Sequence, residues 1–363
     1  MNRALYLIIG GFLGAGKTTA IRKIARHLAD RGLRVGLITN DQSTGLVDTA
    51  ILRTEEFPVE EITGGCFCCR FTSLVEASEK LSAGGRPDVF IAEPVGSCTD
   101  LVATVSFPLR RLYGDTYRVA PLSVLVDPLR AERMLGLESG RNFSRRVLYV
   151  YEKQLEEADV LVINKCDLIA PGRQDRLEAA LRRAYPRPAV HRVTARAGTG
   201  LEDWIDGLIG HDGGAGSAPD VDYELYAEGE ASLGWLNASV SLRADREVDG
   251  NELLRRLALS IREPLGRFEI AHLKMTLVPE EAGGDIGVLS LVGTEGEPEV
   301  SHSLRAPLSA GRLLINLRAE ADPEPLWQSV ADAIAACGCH AEIGHVERFR
   351  PSKPRPTYRI ANA

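Results

Sequence analysis

Three clusters of residues in this 363-residue chain have the types and spacing to do chemistry. The first is Gly11-Phe12-Leu13-Gly14-Ala15-Gly16-Lys17-Thr18-Thr19, which follows an apolar run at 5–9 and opens a helical pattern at 18–31. Glycines in a strand-to-helix turn let backbone N–H groups close around phosphate oxygens, and the helix N-terminus adds its positive end. Lys17 places a point charge between terminal phosphates, and the Thr18 hydroxyl is placed to ligate Mg²⁺. The spacing Gly11-x-x-x-x-Gly16-Lys17-Thr18, in that setting, predicts a phosphate-binding P-loop. A glycine turn without a ligand is the alternative, and the strand–helix context disfavours it.

Phosphate loops serve many nucleotides, so the base must be read elsewhere. Asn164-Lys165-Cys166-Asp167 directly follows the apolar run 160–163, at the end of an expected strand. In an open parallel sheet that is where ligands sit. The Asp167 carboxylate can accept both guanine N1–H and N2–H₂, a pair that adenine lacks, while Lys165 can lie along the base and the P-loop. GTP or GDP is therefore the expected ligand. Thr194-Ala195-Arg196 follows the next apolar run, and the backbone of Ala195 and Arg196 can reach the guanine carbonyl; a plain loop is the alternative. The run 88–92 ends in Glu93, with Gly96 three residues on. There the acid serves the Mg²⁺ shell and the glycine N–H senses a γ-phosphate. Asn40-Asp41-Gln42 supplies a second acid near the phosphate edge, balanced against a simple turn-forming pair. Lys17, Thr18, Glu93 and Asp41 are thus the expected catalytic groups. No Gln or Arg stands out to orient an attacking water, which predicts slow intrinsic turnover that a client stimulates.

The third cluster is Gly64-Gly65-Cys66-Phe67-Cys68-Cys69. Metal thiolates need sulfurs converging on one soft or borderline ion, and a glycine-led loop lets the backbone fold that tightly. Three ligands leave a fourth position open, which suits an ion that is handed on. Buried unreactive cysteines and a redox pair are the alternatives. Cys337-Gly338-Cys339-His340, with His345 beyond, offers a second set. There Cys337 ends a helical pattern, and positions 339 and 340 of the following strand pattern face opposite ways, which favours a core role over a metal site.

The elements that must position these groups read clearly from the hydrophobic pattern. Runs at 5–9, 35–39, 89–92, 123–126, 160–163 and 190–193 are apolar on both faces and separated by helical patterns. They predict an α/β fold, a P-loop NTPase domain over 1–211 with a mostly parallel sheet covered on both sides. A glycine-rich linker follows at 212–221. Alternating patterns at 238–242, 272–278, 287–292, 311–317 and 341–349, with helical patterns at 250–262 and 323–337, predict a smaller α+β domain over 222–363 with helices on one face of an antiparallel sheet. The proline-rich tail 351–356 is expected to be irregular and draped or mobile. Trp204, Trp235 and Trp327 read as core, and Arg145-Arg146 and Arg182-Arg183 as solvated helix faces. With 44% apolar and 26% charged residues and a net charge of −7, the chain has the composition of a soluble globular protein with no nucleic-acid or membrane partner. No apolar run is long enough to span a bilayer, and seven cysteines without a secretory signal point to a reducing cytoplasm.

The segments Gly10-Gly11-Phe12-Leu13-Gly14-Ala15-Gly16-Lys17-Thr18-Thr19, Gly64-Gly65-Cys66-Phe67-Cys68-Cys69, Glu93-Pro94-Val95-Gly96 and 154–168 together resemble the CobW-like branch of the CobW/HypB/UreG GTPases over residues 4–210. The resemblance implies a GTPase that delivers or helps insert a metal, with Zn²⁺ or Co²⁺ bound by Cys66, Cys68 and Cys69 in a GTP-sensitive way. It implies that Gly11, Gly14, Gly16, Lys17, Thr18 and Thr19 hold phosphate and Mg²⁺, that Glu93 and Gly96 sense the γ-phosphate, and that Asn164, Lys165 and Asp167 read guanine. The implied partners are a client metalloprotein or a corrinoid enzyme, and dimerisation through the nucleotide edge. This chain departs in having Asn40-Asp41-Gln42-Ser43 where the family usually has Asn-Glu-Phe-Gly. It also carries a long segment at 102–119 that reads as a partner-binding insertion, and lacks a His-rich tract. A regulatory G-protein of a corrinoid enzyme that carries no metal, and a P-loop kinase, are the competing readings.

Overall fold

The computed structural model describes residues 3–40, 57–210, 218–280 and 285–361. They form two compact units, one holding residues up to 40, 57–226 and 353–361, the other 227–352.

The first unit is built on strands β1 (Ala4–Gly11), β2 (Val35–Asn40), β3 (Val59–Ile62), β4 (Val89–Glu93), β5 (Tyr117–Val119), β6 (Ser123–Val126), β7 (Val160–Ile163) and β8 (Ala189–Arg192). They lie in the order β3-β2-β4-β1-β6-β7-β8, with β5 and then β6 pairing successive parts of one edge of β1. Every pairing is parallel. All eight residues of β1 are buried, as a strand covered on both faces requires. The helix Lys17–Asp30 packs Ile21, Ile24, Ala25 and Leu28 into a core with Leu5, Leu7 and Ile9 of β1 and with Trp204, Ile205 and Leu208 of the helix Leu201–Gly210. The Phe90 ring stacks on Tyr6 and meets Tyr117 edge-on. Because all strands run the same way, the ends of β1, β2, β4, β7 and β8, which lead into the candidate residues, lie on one edge of the sheet.

Three strands fall outside the hydrophobic pattern. Val59–Ile62 pairs only with β2, and Glu299–His302 (β12) only with the strand Gly287–Leu291; both are sheet edges, where charged and polar residues are tolerated. The third, Tyr117–Val119, lies in the segment 102–119, which is buried in its first part and exposed at residues 111, 112, 115 and 116. Its first part forms a π-helical turn, Val102–Ser106, and the helix Phe107–Tyr113, and residues 101–109 are buried because their side chains are almost all apolar or small.

The second unit is an antiparallel sheet of β9 (Gly234–Val248), β10 (Ile270–Pro279), β11 (Gly287–Leu291), β12, β13 (Leu308–Ala319) and β14 (His340–Phe349), ordered β12-β11-β10-β13-β9-β14. Alternate residues such as Leu236, Ala238 and Val240, and Leu313, Ile315 and Leu317, share one core with the helices Gly250–Arg262 and Pro323–Ala335. Asp249 caps the first of these helices, accepting from the backbone N–H groups of Asn251 and Glu252 at 2.8 and 3.2 Å. The expected mixture of strands and helices is thus an open-faced sheet with both helices on one side. Trp204 and Trp235 are buried and Trp327 is half-buried, while Arg145-Arg146 and Arg182-Arg183 lie exposed. The tail 353–361 contains no helix or strand and groups with the first unit, not with the domain it follows in sequence. Residues 211–217 of the expected linker lie outside the described residues. No helix among the described residues is long and apolar enough to cross a membrane.

Gly11 shows how little tolerance β1 has at its end. With φ at +133°, a Cβ there would stand 2.6 Å from the Leu125 carbonyl oxygen of β6. Gly11→Ala is expected to destabilise the first unit by about 2–4 kcal/mol, read as a lowered midpoint in urea unfolding.

Candidate functional site

The loop between β1 and the helix Lys17–Asp30 holds Gly14 and Gly16 in left-handed conformations, φ +83° and +90°. Such a backbone turns successive N–H groups inward, which is the geometry an anion needs. The Lys17 ammonium is buried in the loop and donates to the Gly11 carbonyl at 2.9 Å. Thr18 Oγ1 donates to both oxygens of Glu93, at 3.0 and 3.1 Å. Hydroxyl and carboxylate therefore meet beside the phosphate loop, a hard-oxygen pair that suits Mg²⁺. Gly96 packs against the same loop, since a Cβ there would lie 2.8 Å from a Leu13 methyl and 3.0 Å from Lys17 Nζ. Ala15 is buried and Thr19 half-buried within this turn.

Asn164, at the end of β7, is a structural junction. Its Nδ2 donates to the Ala15 carbonyl at 2.9 Å, and its Oδ1 accepts from the Ala195 N–H at 3.0 Å. Gly16 must stay bare because a Cβ would meet Asn164 Nδ2 at 2.5 Å. Lys165, with φ +55°, lays its ammonium across the loop and donates to the Gly14 carbonyl and to Asp127, both at 2.7 Å. Asp127, which the sequence reading missed, also caps the helix Pro128–Met134 by accepting from the Arg130 N–H. Burial acts to raise its carboxyl, but the Lys165 and Arg130 charges outweigh that and hold it below the usual carboxylate range. The signal available in the sequence was an Asp-Pro pair directly after a buried strand. Asp167 and Arg196 are exposed on the same edge, where a base can reach them. Asp41, Gln42 and Ser43 lie outside the described residues.

The turn after β4 is pinned from beneath. Gln154 donates to the carbonyls of Gly96 and Cys98 at 2.9 and 2.8 Å. Beyond it Asp100 adopts a strained φ of +64° and accepts from Tyr223 Oη at 2.6 Å and Arg359 Nε at 2.8 Å. Glu157 accepts from the Thr99 hydroxyl and the Val102 N–H, each at 3.1 Å. Burial pushes the Glu157 carboxyl up to about 8, despite those two donors.

The thiol loop converges as its spacing suggests. Cys66 Sγ lies 2.6 Å from Cys68 Sγ and 3.4 Å from Cys69 Sγ, and Cys68 and Cys69 are 3.6 Å apart. All three are free thiols, Cys66 and Cys68 buried and Cys69 half-buried. Contact with Cys68, then Cys69 and Cys98, holds the Cys66 thiol well below its ordinary range, while Cys68 rises well above it and Cys69 is pushed up to about 11. Gly64 and Gly65, at φ +74° and +150°, lead the chain into the turn, and Asn40 at the end of β2 donates to the Gly65 carbonyl at 2.7 Å. The C-terminal tail closes over this loop. The Arg355 N–H donates to Cys69 Sγ at 3.1 Å, the Thr357 N–H to the Cys68 carbonyl at 2.8 Å, and Thr357 Oγ1 to the Cys69 carbonyl at 3.1 Å. Tyr358 meets Phe71 edge-on, and the Ile360 N–H bonds the Ala103 carbonyl in the π-helical turn. The sequence gives this tail as irregular and draped or mobile, and nothing in its composition says what it covers.

Among the described residues, Cys66, Cys68 and Cys69 are the only group of three or more potential ligands whose donor atoms all lie within 4.8 Å of one another. Cys337 instead belongs to the core of the second unit, with Cys339 packed against it, and His340 and His345 are exposed.

Two measurements check these contacts. Arg359→Ala leaves Asp100 buried without its cation and should lower stability by about 2 kcal/mol, with faster proteolytic removal of the tail than in the parent chain. Glu157 has a folded pKa raised above its ordinary 4.5, so the folded chain holds a proton that the unfolded chain releases, and stability falls as pH rises from about 4.5 to 8. Glu157→Gln is expected to flatten that slope, by an amount on the order of a few kcal/mol across the window, in thermal melts taken from pH 5 to 9. Asp100, raised in the same direction by burial, leaves a smaller residual slope.

A family model described as the CobW/HypB/UreG nucleotide-binding domain matches residues 5–192. The chain is 31% identical over 181 residues to the zinc chaperone CobW of a Sinorhizobium species, covering 45% of this chain and 51% of that protein. It is 26% identical over 216 residues to zinc-regulated GTPase metalloprotein activator 1 of Dictyostelium discoideum, covering 52% and 45%. It is 24% identical over 200 residues to the zinc chaperone YjiA of Escherichia coli, covering 53% and 58%. The chain spans about half the length of these curated relatives. The glycine loop 11–18, the thiol loop 66–69 and Asn164 to Asp167 all fall inside the matched segment, and the chain belongs to the CobW/HypB/UreG family.

Proposed function

We propose that this chain is a GTPase metallochaperone, which holds a divalent transition ion, Zn²⁺ or Co²⁺, at Cys66, Cys68 and Cys69 and releases it to a client metalloprotein under control of GTP. The observation that carries the reading is the shared framework of the two sites. The thiol loop is tied to the end of β2 through Asn40, and the turn that carries Gly96 carries Cys98 into contact with Cys66 and Cys68. Relatives of the matched segment are zinc chaperones and a zinc-regulated GTPase metalloprotein activator, which supports the same class of cargo.

The donor sets fit their ligands. Three sulfurs that gather within 4.8 Å suit a borderline-soft ion. Thr18 and Glu93 offer hard oxygens for Mg²⁺, which when bound neutralises developing charge on the phosphates. Gly11, Gly14, Ala15, Gly16, Lys17 and Thr19 cradle the phosphates, and Lys17 can exchange its bond to the Gly11 carbonyl for a phosphate oxygen. Gly96, wedged against Leu13 and Lys17, is placed to register a γ-phosphate. At the base end Asp167 reads the guanine edge, Ala195 and Arg196 face its carbonyl, and Asn164 and Lys165 hold the loops in register.

Lys17→Ala should reduce GTP hydrolysis by about 100-fold or more, measured as phosphate release. Asp167→Ala should cut the preference for GTP over ATP by ~100-fold in competition binding, because adenine never used that carboxylate. Replacing Cys66, Cys68 and Cys69 together with Ser should abolish stoichiometric Zn²⁺ binding while leaving GTP binding intact. A parent chain that binds GTP but no metal would instead favour a regulatory G-protein, and absence of GTP binding would end the proposal.

A further inference from the structure

Arg130 is a buried cation set against the glycine loop from 117 positions away in sequence. It lies in the first turn of the helix Pro128–Met134, directly after β6, and only 6% of it is exposed. Its guanidinium carbon stands 5.2 Å from the centre of the Phe12 ring and 5.0 Å from that of Phe143, and its head donates to the Leu13 carbonyl. Its backbone N–H donates to one oxygen of Asp127 at 3.1 Å, while the other oxygen accepts from Lys165. Rings, cap and carbonyl together fix both its stem and its head. An apolar side chain would fill the space against two rings without the desolvation that a buried guanidinium incurs.

Three consecutive carbonyls of the loop are each met by a different side chain: Leu13 by Arg130, Gly14 by Lys165 at 2.7 Å, and Ala15 by Asn164 at 2.9 Å. A trans peptide sets its C=O and N–H on opposite sides, so a donor that holds the carbonyl also fixes the direction of the next residue's N–H. The Leu13 end of this series is the one beside Gly96, where a Cβ would stand 3.1 Å from the Leu13 nitrogen. Building on the GTPase reading above, we propose that Arg130 is a positioning residue of the nucleotide site, which holds the Leu13 carbonyl outward and thereby directs the Gly14 N–H toward the γ-phosphate end of the cradle. A charge-assisted bond to a carbonyl also polarises that peptide, which strengthens the N–H on its far side as a donor. The amide is then set before the nucleotide arrives, and preorganised donors are what stabilise charge in phosphoryl transfer. Arg suits the place because its planar head can lie against rings while its edge donates.

Steady-state hydrolysis and nucleotide affinity, measured on the full chain, separate positioning from packing. Arg130→Met keeps an apolar stem against the two rings and removes the charge and the donors. It should lower kcat for GTP by ~10- to 100-fold while changing GDP affinity less than about threefold, because GDP has no γ-phosphate to meet the Leu13 end of the loop. Arg130→Lys returns a cation and should recover part of that loss. Phe143→Leu loosens the support but leaves the guanidinium, and should show a smaller loss in the same direction. A parent-like kcat in Arg130→Met, or weaker binding of GDP and GTP alike with kcat unchanged, would overturn the assignment and leave Arg130 a packing residue. Should Arg130→Met fail to fold, Phe143→Leu decides alone: a lowered kcat at parent-like GDP affinity supports the assignment, and an unchanged kcat overturns it. A parent chain that hydrolyses no GTP removes the underlying reading itself, a result distinct from all of these.

Discussion

The carboxamide of Asn164 is held between two loops that have no sequence contact with each other. Its nitrogen bonds the phosphate-loop carbonyl of Ala15, and its oxygen takes the N–H of Ala195 beyond β8. That single buried group joins the ends of β1, β7 and β8. Gly16 has to be glycine because Asn164 fills the space a Cβ would need, and Lys165 extends the same tie to Gly14 and Asp127. A buried amide satisfied on both ends is rigid, because breaking either bond strands a polar group in the interior. The glycine loop after β1 and the loops after β7 and β8 are thereby held at a fixed separation, which suits a nucleotide laid across them.

A second constraint operates on the other side of β1. The turn Glu93 to Cys98 is clamped by Gln154 below, touches the P-loop through Gly96, and reaches the thiol loop through Cys98. The buried acids Asp100 and Glu157 extend this clamp toward the π-helical turn at 102–106, a conformation often retained where function demands it. The tail then spans both regions, bonding the Cys68 and Cys69 carbonyls at one end and Asp100 and Ala103 at the other. A displacement of the turn Glu93 to Cys98 would therefore act on the thiol loop through packed, hydrogen-bonded groups.

Much of this was readable beforehand where chemistry and local geometry coincide. The glycine spacing of the P-loop, Asn164 to Asp167 after a strand, and three thiols in four residues each carry their own reason for existing. Central strands were legible because burial on both faces forces continuous apolar runs. Edge strands such as Val59–Ile62 were not, since one open side accepts glutamates. In the segment 102–119, nothing local reveals that Val102, Val105 and Phe107 are buried while residues 111 and 112 are exposed.

The sequence by itself determined the nucleotide class, the thiol cluster and the succession of a parallel and an antiparallel sheet, because motifs and hydrophobic period are local properties of the chain. Tertiary structure alone decided the rest. Asp127 became the partner of Lys165, Cys98 joined a cluster 30 residues upstream, and a proline-rich tail became the cover of that cluster. These are contacts across 38, 30 and 286 positions of chain, set by the order of strands in the sheet and the path of the tail across it, and no local pattern encodes that order.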